Sequence, residues 1–449
     1  AKETAEAALG QIESLRAEPA SFELRSSFFA SQQDPFADYV DLLMELHRRE
    51  PATGHDRAAL EASERAKARR LLDLLAEAGA GRAGNPLPFQ PLPLPEIRER
   101  VLDEETLLLE ISLGAERSFL WAVTRGRLES FELPPRRVLE GAARRTHALL
   151  ADSRRTLARA QAGKALAELS RLLLGPVAGR LDERRLLFVP DGALHLIPFG
   201  ALPLPSAAGE PLLTRHEVAV LPSASSLAAM RWDAAARQPP PGVIAVLADP
   251  VFRERGPFAH LPFSRHEART LLALAPPGER LAALGAAANR EMVTSGALER
   301  FRIVHFATHA VLDPERPELS GIALSMVDEK GRPRESFLRA HEIYRLRLPA
   351  DLVVLSACET ALGREVRGEG LVGLTQAFFH AGARRVLVSL WPVDDEATAE
   401  LMRRFYQGLF QGGLPPAEAL RQAQDSLRRE PRWSPPSYWA GFILQGEGR

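Results

Sequence analysis

One cysteine occurs in the 449 residues, at position 358. A disulfide framework within the chain is thereby excluded, as is a four-cysteine zinc site. A reducing, cytoplasmic setting is the simplest expectation. Net charge is also nearly absent: 57 Lys and Arg stand against 58 Asp and Glu, a formal −1. No global field therefore favours nucleic acid or an anionic membrane, and the arginines are interspersed with acids as on solvated helix faces. Long apolar runs are missing too. The longest, Leu352–Ala357 and Arg385–Trp391, are strand-length, far short of the ~20 residues a membrane helix needs. No signal-peptide pattern is legible at Ala1-Lys2-Glu3-Thr4, and the lack of an initiator Met leads us to expect a piece of a longer protein. What is present, 45% hydrophobic and 26% charged residues, fits a soluble globular chain. Its length predicts two to four domains at about 100–200 residues each.

Residues 1–84 read as helices. Tyr39, Leu42, Leu43 and Leu46 recur at helical spacing, and Leu60, Leu71, Leu72, Leu74 and Leu75 repeat the pattern within Arg57–Ala78. Two such helices cannot bury both faces alone, so they must pack on the rest of the chain or on residues upstream. The Pro-rich stretch Asn85–Pro95 and the run Gln238–Gly242 mark connectors. Between them, Thr106–Leu113, Ser118–Thr124, Leu128–Leu133, Leu186–Pro190 and Glu217–Leu221 read as strands, with helix over 136–175. After Gly242 the strands Val243–Ala248, Arg302–Ala307, Ile322–Val327, Leu352–Ala357 and Arg385–Trp391 alternate with helices at His266–Ala275, Gly370–Ala381, Ala397–Leu409 and Pro416–Arg428. Tyr438–Leu444 reads as a final strand. This alternation predicts a mostly parallel sheet covered on both faces, with sites at the carboxyl ends of strands. The expected parts are 1–84 helical, 96–237 a first α/β part, and 243–449 the core.

Two strand ends carry chemistry. Ile303-Val-His-Phe-Ala-Thr-His-Ala310 leaves His309 just past one apolar strand, and Leu352-Val-Val-Leu-Ser-Ala-Cys-Glu-Thr360 leaves Cys358 just past another. Parallel strands would bring both to one sheet edge. A free thiol is only a few per cent ionised at neutral pH, so a nucleophilic Cys358 needs a base. His309 would take its proton, or stabilise the thiolate, and later protonate the leaving amine. Backbone N–H groups of Cys358 and Ala310 would stabilise the oxyanion. A lone Cys at a strand end is otherwise a buried core residue. The matching His and the spacing of 358 − 309 = 49 residues, close to the ~50 of caspases, favour the catalytic reading.

These segments resemble CHAT-domain proteins, a family of caspase-like and separase-like cysteine peptidases often preceded by tetratricopeptide repeats. The likeness lies in Val304-His-Phe-Ala-Thr-His309, Leu355-Ser-Ala-Cys-Glu-Thr360 and Ser389-Leu-Trp-Pro-Val-Asp-Asp395, followed by Leu401-Met402 and Phe405-Tyr406. Upstream it lies in Phe188-Val-Pro-Asp-Gly-Ala-Leu-His-Leu-Ile-Pro-Phe199 and Leu221-Pro-Ser-Ala-Ser225. It covers roughly residues 100–449, and Ser63–Arg69 resembles the last repeat helix that often precedes the domain. The resemblance implies a caspase-like three-layer α/β sandwich, preceded by an α/β extension and an N-terminal helical segment. It also implies a regulated intracellular endopeptidase, with His309 as base and Cys358 as nucleophile. Such proteins commonly sit in bacterial defence or cell-death systems, where a partner releases activity. The Ala, Arg and Leu content is consistent with a GC-rich bacterial source. The family usually has Gly after the His. Ala310 still supplies an N–H there, but would be strained if the site required a positive φ.

Separases, which the 389–395 segment resembles, carry an acidic residue near its end. Asp395 in a pocket would favour Arg or Lys at P1; alternatively Asp394 and Asp395 cap the next helix. Trp391 is a core candidate that could also line that pocket. Gly368-Glu-Gly-Leu-Val-Gly373 matches a dinucleotide pattern by letters but lacks the preceding strand, and no third ligand accompanies His305 and His309. Neither a cofactor nor a metal is therefore expected. The expected partners are a protein substrate and an activator engaging the N-terminal helices, with no nucleic acid and no membrane. The rival readings are a non-catalytic caspase-like scaffold and another acyl-transfer enzyme using the same dyad.

Overall fold

The structure, a computed structural model, describes residues 2–14, 33–83, 90–152, 156–205, 209–253, 258–311, 320–356, 364–366, 370–372 and 374–449. Helices α1 (Lys2–Ser14), α2 (Gln33–Arg49) and α3 (His55–Ala83) open the chain. Tyr39, Val40 and Leu43 of α2 are buried, and in α3 Ala59, Leu60, Ala62, Ala68, Leu71, Leu72 and Leu74 are buried most of the way round the helix, so α3 packs between α2 and the body of the chain. Two polar anchors fix α3. Glu64 accepts the backbone N–H groups of Ala224 and Ser225, at 2.7 and 3.0 Å. Ser63 donates to the carboxyl of Glu110, 2.6 Å away.

Three strands follow: β1 (Thr106–Ser112), β2 (Ser118–Val123) and β3 (Leu128–Leu133). Helices α4 (Arg136–Ala151) and α5 (Thr156–Leu173) lead to β4 (Arg185–Val189), β5 (Glu217–Val220) and α6 (Ala224–Ala235). Beyond Gly242 come β6 (Gly242–Ala248), α7 (Ser264–Leu274), β7 (Arg280–Leu284) and β8 (Phe301–Ala307). Then come β9 (His309–Val311), β10 (Gly321–Ala323), β11 (Phe337–Arg339) and β12 (Leu352–Leu355). The last elements are β13 (Arg364–Val366), β14 (Gly370–Val372), α8 (Leu374–Ala381), β15 (Arg385–Ser389), α9 (Asp395–Phe410), α10 (Pro416–Arg428) and β16 (Phe442–Gly446).

Eleven strands form one sheet in the order β3-β2-β1-β4-β5-β16-β15-β12-β8-β6-β7. The runs β1, β4, β12 and β15 are buried at every position, as strands covered on both faces require. The first α/β part and the core thus share a sheet. β1, β4, β5 and β16 run parallel, β16 is antiparallel to β15, and β15, β12, β8, β6 and β7 run parallel again. The two halves therefore point in opposite directions, and their carboxyl ends lie on opposite edges. The halves meet along β16 and β15, while β16 joins its parallel neighbour β5 at a single paired position, Gln445 with Val220. The ion pair of Arg231 with Glu447 lies just past it.

The sequence expectations differ from the structure in several places. The helix expected over Gly370–Ala381 begins at Leu374, and Gly370–Val372 is instead a short strand. The strand expected over Ile322–Val327 spans only Gly321–Ala323. The final strand starts at Phe442 because Pro435 and Pro436 favour a short helical turn over Pro436–Trp439. Much of the connector 85–95 lies outside the described residues.

Candidate functional site

β8 and β12 pair parallel with Phe306 opposite Leu355, and the N–H of Ser356 donates to the carbonyl of Phe306 at 2.9 Å. β8 and β12 therefore end side by side at one edge of the sheet; in sequence, His309 follows the first and Cys358 the second. Cys358 itself lies outside the described residues, as do Gly368 and Gly373 of the glycine pattern.

His309 opens β9, which pairs with β10. Its Nε2 is 2.7 Å from the carbonyl oxygen of Ala259. A carbonyl only accepts, so Nε2 carries the proton, and the neutral ring keeps its lone pair on Nδ1. The ring packs in a three-ring cluster with two aromatics, Phe258 stacked at 5.5 Å and Phe252 tilted at 5.4 Å, which themselves lie 5.3 Å apart. Such an imidazole has one ring position committed, and among the described residues no hydrogen-bond partner occupies the other, which can take a proton. Ala259, Phe252 and Phe258 were not picked out from the sequence. A carbonyl acceptor 50 residues before its donor leaves no residue-type signature. Ala310 sits in β9, and its φ is not positive, so the strain that a positive φ would impose on Ala does not arise.

His305 takes a different course. It is fully buried, with Nε2 2.7 Å from the carboxyl of Glu267 and Nδ1 3.0 Å from the hydroxyl of Tyr406. Burial, reinforced by the charge of Glu267, holds the Tyr406 phenol well above its ordinary range, so its O–H donates to Nδ1 and the ring donates on to Glu267. The two histidines thus serve separate partners. Among the described residues no group of three His, Cys, Asp or Glu side chains is placed to hold a metal ion.

At the end of β15 the two aspartates divide their work. Asp394 caps α9, accepting the N–H of Ala397 at 3.0 Å. Asp395, the first residue of α9, is half-buried and accepts the N–H of Phe263 at 2.8 Å. Burial raises the Asp395 carboxyl above the ordinary carboxylate range, and the charges of Glu267 and Asp394 push the same way, against the Phe263 N–H and His260. Trp391 is fully buried, donates Nε1–H to the carbonyl of Ser437 at 3.1 Å, and packs against Gly441. It occupies the core and offers no surface to a ligand. Sequence reading offered both roles; the structure gives it the core one.

A mixed α/β body with a large, mostly parallel sheet is the architecture of the caspase-like fold. Over 98% of its length the chain superposes on yeast separase from two crystal structures of the Saccharomyces cerevisiae separase–securin complex. The TM-score is 0.62 and the sequence identity 10%, and 37% of the separase chain is covered. At that identity the likeness speaks for the fold. Residues 163–447, more than half of the chain, match the CHAT domain, and the chain belongs to the CHAT-domain family. Over alignments 324 positions long, the chain is 31% identical to Tetratricopeptide repeat protein 28 of Homo sapiens and 32% identical to its counterpart of Mus musculus. Each alignment covers 61% of this chain but only 13% of the relative. These relatives are mammalian, so the expected bacterial source draws no support from them. No helix among the described residues is long and apolar enough to cross a membrane.

Proposed function

We propose that this chain is a cysteine endopeptidase in which His309 serves as base and Cys358 as nucleophile. The observation that carries the reading is the commitment of His309 Nε2 to the Ala259 carbonyl at 2.7 Å. It leaves Nδ1 as the acceptor on the edge toward which the β12 chain also runs. In this reading Nδ1 takes the thiol proton, and the Cys358 thiolate adds to the scissile carbonyl. The resulting imidazolium returns that proton to the amine as the C–N bond breaks, leaving an acyl-enzyme. Water, deprotonated by the same nitrogen, then hydrolyses the thioester and restores the thiol. The N–H groups of Cys358 and Ala310 would stabilise the oxyanion. Asp395, half-buried at the edge that bears His309, would receive a basic P1 side chain, whose charge would keep its carboxyl ionised.

The substrate would be a protein, and activity would be released by a partner engaging the N-terminal helices. The relatives' repeats and yeast separase's complex with securin support a partner-controlled protein. A role in bacterial defence or cell death stands on the sequence resemblance alone. The test is terminal-peptide mass spectrometry on a cell lysate incubated with the protein, beside Cys358→Ala. New termini made only by the unmodified protein are expected. If none form, and a thiol-reactive peptide probe also leaves Cys358 unlabelled, the reading fails and a scaffold role replaces it.

A further inference from the structure

His309 owes its orientation to a segment that needs holding in its turn. Residues 249–253, at the carboxyl end of β6, the strand beside β8, and residues 258–263 supply Phe252, Phe258 and the Ala259 carbonyl. The first of them, Asp249, has φ +53, the one non-glycine residue with a positive φ among the described residues. Glycine is the residue that adopts this conformation without steric penalty, while Asp and Asn tolerate it. A residue kept in a sparsely populated conformation beside a site invites the question of what its side chain does there.

The Asp249 side chain is 12% exposed and fully engaged. One carboxylate oxygen lies 3.1 Å from Nε2 of His260, the residue after Ala259, and the other accepts from Nε of Arg265 at the start of α7. Its backbone N–H donates to the Ser264 hydroxyl at 3.2 Å. Near its beginning the segment is fixed separately, through the Val251 N–H on Ser325 and the Met326 N–H on the Val251 carbonyl, both at 2.9 Å. The far stretch that bears Ala259 is tied back to the end of β6 through Asp249.

We infer that Asp249 is a positioning residue: its carboxylate, gripping His260 and Arg265, holds the Ala259 carbonyl where it orients His309. The catalytic consequence rests on the proposed role of His309; the orientation itself does not. Asp249→Asn is the informative variant, because Asn keeps the shape and the left-handed backbone while turning one acceptor into a donor. Arg265→Gln perturbs the same grip without touching the backbone of residue 249.

The experiment is nitrogen-detected NMR of ring-labelled histidine, with the His309 signal assigned by its loss in His309→Gln. In the unmodified protein the neutral ring should be a single tautomer protonated at Nε2. In both variants the signal should move toward a freely exchanging imidazole that samples both tautomers. With a peptide substrate, kcat should fall about tenfold to a hundredfold while KM stays unchanged. His309 signals identical in Arg265→Gln and the unmodified protein would overturn the inference, even if Asp249→Asn failed to fold. Failure of the peptidase reading shows up separately, as absence of cleavage and of Cys358 labelling in the unmodified protein, and leaves the NMR result decisive.

Discussion

Glu110 lies in β1, fully buried, beneath α3. Burial pushes its carboxyl up to about 8 from an ordinary 4.5, and the charge of Glu64 adds to the rise. The Lys67 ammonium 3.2 Å away and the Ser63 hydroxyl pull it down, but desolvation outweighs them. The folded carboxyl therefore keeps its proton over a range where the unfolded one has lost it. Between those two values the native state binds more protons, so stability falls as pH rises. The contribution is fully present below about pH 4.5 and is lost on the way to 8. Integrated from pH 5 to pH 8, one such group removes on the order of 3–4 kcal/mol. Other groups titrate in the same window, so the measurement is a difference. Glu110→Gln keeps an oxygen for Ser63 and Lys67 and removes the titration. Urea unfolding of both proteins at several pH values should show the variant gaining on the unmodified protein by roughly that amount from pH 5 to 8. Parallel stability curves for the two proteins would refute the argument.

Two further expectations concern the edge that bears His309. Asp395→Asn keeps an acceptor for the Phe263 N–H and removes the charge. The preference for Arg or Lys over neutral residues at P1, read from the new termini, should then drop by about tenfold or more, and an unchanged preference would take Asp395 out of the pocket. Trp391→Ala empties a fully buried site and removes the Nε1–H that the Ser437 carbonyl accepts. A loss of about 3–5 kcal/mol is expected in denaturant unfolding, and a loss under about 1 kcal/mol would show that the ring is not part of a close-packed core.

The central strands were legible because their chemistry is local. Leu352–Leu355 and Arg385–Ser389 are apolar runs of strand length bounded by turns, and any sheet that buries both faces would select them. β7 gave a weaker signal: Arg280–Leu284 is a five-residue edge strand whose apolar run is half Ala and has one buried position, Ala283, too short and too small to stand out. His309 could be singled out by its place after β8. The groups that orient it could not, because the Ala259 carbonyl is backbone and the left-handed turn at Asp249 is spelled by a residue common everywhere. Nor did the sequence show that the two α/β parts would share one sheet with opposed halves, since that depends on where β16 inserts. The division of labour between Asp394 and Asp395 emerged only when Phe263, 132 residues earlier, was seen to approach the second of them.

The insertion of β16 bears on how the protein is made. Among the described residues it follows every other strand, yet it lies at the centre of the sheet, between β5 and β15. While the ribosome is still working upstream of Phe442, β5 and β15 each present a bare edge, and the two halves have no strand between them. Such edges invite pairing with other chains, so the nascent protein passes through a stage that favours chaperone capture. The half that bears His309 is joined to its neighbour only after nearly all of the sequence described here has been translated. For a chain that would cut other proteins, this order delays assembly of the working body until synthesis has passed the strand that completes it.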